Sequence, residues 1–162
     1  MKQLLVVYHS LTGGAQQMAE AAARGAAAEE VAVTVRHAAD ADADDVLAAD
    51  GYVFVTPENL AAMSGVMKDF FDRTYYAALD GIAGRPYVTM ICAGSDGTNA
   101  VRQIDRICTG WRLRPAAEPL IVCTHAQTPA EILAPKTLGF SDLRRCEDVG
   151  RALAAGLALG VF

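Results

Sequence analysis

No apolar run in this 162-residue chain approaches the roughly 18 residues that a membrane-spanning helix needs. A leader's layout is missing too. After Met1 and Lys2 the apolar stretch at residues 4–8 is short and polar residues follow at once, so no signal peptide is expected. Basic side chains are outnumbered 14 to 19, and the net charge of −5 removes any bulk attraction to nucleic acid or an anionic membrane. Cysteine is scarce. Cys92, Cys108, Cys123 and Cys146 stand at long, uneven gaps with no C-x-x-C pair, which argues against a zinc site and a disulfide framework. The expectation is four reduced thiols, mostly packed as small apolar residues, in a cytoplasmic protein. His9, His37 and His125 show no partner pattern for a metal or for nucleophilic catalysis.

What is present is material for a core. With 52% hydrophobic and 20% charged residues, the chain reads as one folded domain over residues 1–162. Short β-branched runs at residues 3–8, 31–36, 52–56, 87–92 and 120–123 read as strands. Residues 14–29 are Ala-rich and read as a helix, and residues 41–50 as a short helix or loop. A third helix starts at Ser64, an N-cap with Met67 at N3, and buries a wide apolar face. Val101, Ile104 and Trp111 mark a fourth. Residues 124–139, with Pro129, Pro135 and Gly139, read as an irregular excursion. Ser141 is expected to cap a last helix whose stripe is Leu143, Cys146, Val149, Leu153 and Leu157.

Five strands alternating with helices imply a doubly wound α/β fold: a parallel sheet with right-handed crossovers and helices on both faces. In such folds a ligand sits beyond the carboxyl ends of the strands, where strand order reverses. The loops after strands one, three and four are therefore the ones to inspect. The first reads His9, Ser10, Leu11, Thr12, Gly13, Gly14, Ala15, Gln16. Hydroxyls followed by two glycines at a helix start suit a phosphate, since the helix end offers unpaired N–H groups and partial positive charge. No Lys or Arg lies in this loop, so neutral donors alone are expected around the anion. The same loop also reads as a plain N-cap at Thr12, and by itself it leaves both readings open. Sharper motifs are absent. There is no G-x-x-x-x-G-K-[ST], no G-x-G-x-x-G and no G-x-S-x-G, which speaks against a P-loop NTPase, a dinucleotide fold and a hydrolase elbow.

The stretch from Thr56 through Pro57, Glu58, Asn59 and Leu60 to Met63, Ser64, Gly65 and on to Lys68, Phe70, Asp72 and Arg73 is the most informative. Together with the first loop it resembles the flavodoxin-like FMN proteins. Closest are the quinone reductases of the tryptophan-repressor-binding-protein type and the NAD(P)H-dependent FMN reductases. The resemblance implies a five-stranded sheet of order 2-1-3-4-5 with FMN at the switch point. It assigns Ser10, Leu11, Thr12, Gly13, Gly14, Ala15 and Gln16 to the FMN phosphate. It assigns Pro57, Glu58, Asn59 and Leu60 to the loop along the isoalloxazine ring. Ala93, Gly94, Ser95, Asp96, Gly97 and Asn99 fall on the pyrimidine side. The long insertion that tetrameric quinone reductases carry after strand two is missing, and Glu58-Asn59 is nearer the Pro-Glu-Tyr-Asn run of the FMN reductases.

The function implied by the resemblance is an FMN-dependent oxidoreductase with NAD(P)H as co-substrate, passing hydride to a quinone or another small acceptor. No catalytic acid or base and no metal ligand is assigned, and neither nucleic acid nor membrane is an expected partner. The rival is a flavodoxin-type electron carrier without a substrate of its own. Carriers usually enclose the ring between aromatic side chains, yet residues 57–63 and 93–99 hold no Trp, Tyr or Phe. A second rival is a domain that has lost its flavin, which a visible spectrum separates. The region around Tyr75, Tyr76, Leu79 and Ile82 is the candidate surface for a homo-oligomer, and Trp111 is either core packing or cover for a neighbour's flavin pocket.

Overall fold

The computed structural model describes residues 1–162, arranged around one seven-stranded sheet. The strands are β1 (Lys2–Tyr8), β2 (Val31–His37), β3 (Gly51–Asn59), β4 (Ala62–Met63), β5 (Pro86–Ala93), β6 (Arg114–Pro115) and β7 (Leu120–Cys123). The helices are α1 (Gly14–Ala26), α2 (Ala43–Ala48), α3 (Gly65–Ala78), α4 (Thr98–Gly110), α5 (Pro129–Leu133) and α6 (Phe140–Leu159). The sheet runs β2-β1-β3-β5-β6, with β7 also on β5, and every pairing is parallel except the short β3–β4 hairpin. Read along its main strands this is the order 2-1-3-4-5, the flavodoxin-like order.

Two strands exceed the expected five for local reasons. The fifth strand is broken in two: Arg114–Pro115 pairs with the start of β5 and Leu120–Cys123 with its end. Four residues, 116–119, stand opposite two on β5, and Pro119 has no N–H to give a ladder. The other extra strand, β4, is the return arm of a hairpin described below.

All eight residues of β5 are buried, as expected of a parallel strand with helices on both faces. Alternate side chains divide into two cores. Phe54, Phe70, Phe71, Ile104 and Trp111 fill the face covered by α2, α3 and α4. Val53, Val55, Met18, Met90 and Leu153 fill the face covered by α1 and α6. On that second face two helices meet without side chains between them. A Cβ on Gly25 would strike the Glu147 carbonyl, and one on Gly150 would strike the Ala22 carbonyl.

Several expectations need correction. Trp111 is only 1% exposed, stacks on Tyr75 at 5.6 Å between centroids and donates from Nε1 to the Tyr75 carbonyl at 2.9 Å. It is core, and it cannot cover a neighbour's pocket. In the region expected to carry an oligomer contact, Ile82 is buried, Tyr75 and Leu79 are half-buried against the core, and Tyr76 is 81% exposed. Ser64 does cap α3, accepting from Met67 N at 3.2 Å. Ser141 does not cap α6, whose N-cap is Gly139 with no side-chain bond. The excursion at 124–139 holds a helix after all, α5, started by a capping box between Thr128 and Glu131. No helix is long and apolar enough to cross a membrane.

Candidate functional site

The loop after β1 turns on its own side chain. Ser10 Oγ accepts from Gly13 N at 3.0 Å, and Gly13 takes φ 99°, the left-handed region where a side chain is costly. Gly13 is the N-cap of α1 and provides no side-chain bond; its carbonyl accepts from Gln17 N at 3.1 Å. The plain N-cap reading of Thr12 therefore does not hold, since its hydroxyl caps nothing. No protein acceptor takes the N–H of Thr12, Gly14, Ala15 or Gln16. These donors, with the Thr12 hydroxyl and the partial positive charge of a 13-residue helix, converge on one spot. Gly14 is required for the approach: a Cβ there would lie 2.5 Å from Cys92 Sγ at the end of β5.

The loop after β3 is not a solvated turn. β3 continues to Asn59 and folds back as β4, pairing Glu58 with Met63 and Asn59 with Ala62. The two turn residues, Leu60 and Ala61, have φ of 50° and 63°, and each non-glycine residue there costs about 1–2 kcal/mol. Four bonds from α4 and the turn before it hold the hairpin in place. Glu58 accepts from Gly97 N at 2.9 Å and from Ala100 N at 3.1 Å. Asn99 donates to the Ala61 carbonyl at 2.6 Å, and Met63 N donates to Gln103 Oε1 at 2.9 Å. Glu58 thus supplies the cap that Gly97, itself at φ 93°, cannot supply.

The loop after β5 is fixed from the other side. Its Ala93 and Gly94 carbonyls accept from Thr124 N at 2.9 Å and His125 N at 2.8 Å. The N–H groups of Gly94, Ser95 and Asp96 have no protein acceptor, while Asp96 Oδ1 is occupied by Thr98 N and Oγ1.

Behind the first loop lies a polar relay. His9 Nδ1 is 2.8 Å from Ser64 Oγ, and Thr56 Oγ1 is 3.1 Å from the same oxygen. Burial, and secondarily the charge of His37, hold the His9 pKa below the ordinary value. Cys92 stands at the cleft as a neutral thiol, pushed up to about 11 by burial above all, so it acts as a spacer against Gly14.

The three loops border one shallow cleft that is open to solvent. Ser10, Leu11, Thr12, Gly14, Ala15, Pro57, Glu58, Asn59, Ala93 and Gly94 line it. Gly13, Gln16, Leu60, Ser95, Asp96, Gly97 and Asn99 stand outside that lining, in the same three loops. Five lining residues escaped the sequence reading: Cys92, Thr124, Ala126, Ile132 and Lys136. Cys92 could have been found as the last residue of an apolar strand. Nothing local in the sequence marks the other four, which arrive from the segment after β7.

A flavodoxin structure from the domain Archaea superposes with TM-score 0.79 at 21% identity, covering 96% of this chain and 98% of that one. That likeness places the chain among flavodoxin-like α/β proteins by fold. The family profile of the NADPH-dependent FMN reductases matches residues 27–127, more than half of the chain, and the chain belongs to that family. A flavodoxin of Aquifex aeolicus is 41% identical over 73 residues, 44% of this chain and 40% of the relative. An NAD(P)H dehydrogenase (quinone) of Acidithiobacillus ferrooxidans is 37% identical over 95 aligned positions, covering 46% of this chain and 48% of the relative. Each match spans less than half the length of the curated relative.

The donor set fits an FMN. A cluster of neutral N–H and hydroxyl donors at a helix start is the chemistry of a phosphate site. The adjoining loops offer free N–H groups at Gly94, Ser95 and Asp96 and small side chains at Ala93 and Gly94, which suit the polar edge and face of a flat ring.

Proposed function

We propose that the chain binds FMN non-covalently in this cleft and works as an NAD(P)H-dependent reductase of a quinone or another small acceptor. A bound FMN would supply the hydride chemistry between nicotinamide and acceptor. The chain's own residues hold and orient. Ser10, Thr12 and the free N–H groups of residues 14–16 take the phosphate. Pro57, Glu58, Asn59 and Leu60 lie along the ring, with Ala93 to Gly97 and Asn99 on the pyrimidine side. No residue of the chain is needed as acid or base, because protons at this exposed cleft come from water. The observation that carries the reading is the cradle of unpaired donors at the start of α1, in a cleft that the loops after β1, β3 and β5 border together. That cradle lies ahead of the span matched by the family profile and supports the reading independently of it.

The four free thiols accord with a reducing compartment, hence a cytoplasmic location. The electron-carrier alternative draws on the Aquifex relative's being a flavodoxin. Against it stands the absence of aromatic residues in the two ring loops.

The test compares FMN with riboflavin. Replacing both Ser10 and Thr12 by Ala removes hydrogen bonds to a charged group, each worth about 1.5–3 kcal/mol, so FMN affinity should fall at least tenfold. Riboflavin, which lacks the phosphate, should lose little. Equal losses for the two flavins would sink the assignment of this loop.

A further inference from the structure

The segment after β7 returns across the phosphate loop as a strap. Its first part is α5. Its second part, residues 134–138, is stitched to the loop by backbone and side-chain bonds. Lys136 N donates to the Thr12 carbonyl at 2.8 Å. Gln17, in the first turns of α1, clamps the strap at two points: Nε2 donates to the Lys136 carbonyl at 2.8 Å and Oε1 accepts from Leu138 N at 3.0 Å. Leu138 is buried beneath it. The strap is therefore held at the head of α1, beside Thr12 and Gly14.

Lys136 is the only basic side chain lining the cleft. Its stem packs against the Gly14 turn, within 3.8 Å of where a Cβ on Gly14 would stand. Its ammonium donates to three carbonyls of the strap itself, those of Glu131, Ile132 and Ala134, at 2.7, 3.0 and 2.6 Å. Those are neutral acceptors. They fix the position of the charge and leave it uncompensated, because no carboxylate pairs with it. The one acidic side chain of the cleft, Glu58, is committed to the N-terminus of α4. The field of Lys136 reaches the head of α1, where it pulls the Cys92 thiol down against its burial. A phosphate there would meet neutral donors in front and a fixed cation at its side.

From this geometry we infer that Lys136, carried on the strap at 129–138 and anchored through Thr12 and Gln17, is the counter-charge for the cofactor's phosphate and sets the preference for FMN over riboflavin. The inference rests on the FMN reading above. It adds a cation, from more than a hundred residues downstream, to a loop whose own sequence contains none.

The experiment measures FMN and riboflavin dissociation constants by flavin fluorescence for the wild type, K136M and K136R, at 0.15 M and 1 M salt. Circular dichroism confirms that each variant is folded. Screening shortens from about 8 Å to about 3 Å across that range. The expected result is roughly tenfold weaker FMN binding in K136M, near-wild-type binding in K136R, and riboflavin within about twofold in both. High salt should narrow the wild-type preference for FMN and leave the K136M preference almost unmoved. Equal weakening of both flavins in K136M would make the lysine a mere prop for the strap and overturn the inference, as would an unchanged FMN constant. A wild-type chain that bound neither flavin would overturn the FMN reading, and the role of Lys136 with it.

Discussion

His9 stands where a sequence reader looks first for chemistry, beside the phosphate loop, yet its surroundings make it a structural contact. Its Nδ1 meets Ser64 Oγ, and its ring lies edge-on to His37 at 5.5 Å. Burial first, and the His37 charge second, hold its pKa below the ordinary 6.5. The sign follows from proton linkage. The unfolded chain binds a proton at His9 more readily than the folded one. The associated stability is complete above pH of about 6.5 and is lost as pH falls from there through the lowered folded value. An NMR titration should place the His9 midpoint below that of an unfolded reference peptide. In His37→Asn the midpoint should rise without reaching the reference, because burial is the larger cause. A midpoint at or above the reference would contradict the burial argument.

Residues also divide by how far their partners lie along the chain. Ser64 was legible as a cap because its acceptor role is met three residues on, at Met67. The loop at 10–16 was legible only as a candidate, because by itself it also read as a plain cap at Thr12. Glu58 was not legible: its partners are Gly97 and Ala100, about forty residues on, and nothing in Pro57-Glu58-Asn59 says that a carboxylate will cap another helix.

At the scale of elements, β1 and β5, continuous apolar runs, were read to within a residue at each end, whereas β3 was read only to Thr56 and in fact runs through Pro57 to Asn59. The break in the fifth strand and the helix inside residues 124–139 were not read. Two- and five-residue elements leave no periodicity to read, and α5 buries none of its residues. The hairpin after β3 is the element on which the ring side depends. Glu58→Ala should free Gly97 N and Ala100 N and release two strained turn residues from their anchor. A loss of about 1–3 kcal/mol is expected in urea unfolding, with α4 amides near residues 97–100 exchanging faster. Unchanged exchange there would deny the capping role. On the opposite face, Gly150→Ala should force α1 and α6 apart, because the clash is with the backbone carbonyl of Ala22. The expected cost is about 1–3 kcal/mol, read as a lower urea midpoint with unchanged slope. An unshifted midpoint would show that the helices separate freely.

For the whole molecule, the sheet order was implied by resemblance rather than by any one strand, since doubly wound folds share their local elements. Of the residues read as a candidate oligomer surface, Ile82 is buried, Tyr75 packs on Trp111 and Tyr76 stays exposed. The cleft, in contrast, is formed by parts of the chain that only the complete fold brings together: the ends of β1, β3 and β5 and the strap after β7. Cofactor binding should therefore stabilise the molecule as a unit. At an FMN concentration a hundred times the dissociation constant, the gain should be about 2.7 kcal/mol. A single cooperative thermal transition should move upward with FMN, whereas an unmoved transition at that excess would show that FMN does not bind the folded state.

The reductase reading itself is tested most directly by mixing. The FMN-loaded protein is combined with NADH or NADPH in the absence of oxygen, and the visible flavin absorption is followed; a benzoquinone is then added. The account predicts that at least one nicotinamide bleaches the flavin and that the quinone restores its colour, with parallel-line, ping-pong kinetics in the steady state. Colour unchanged by both nicotinamides, in a sample that dithionite bleaches fully, would contradict it and leave an electron carrier in its place.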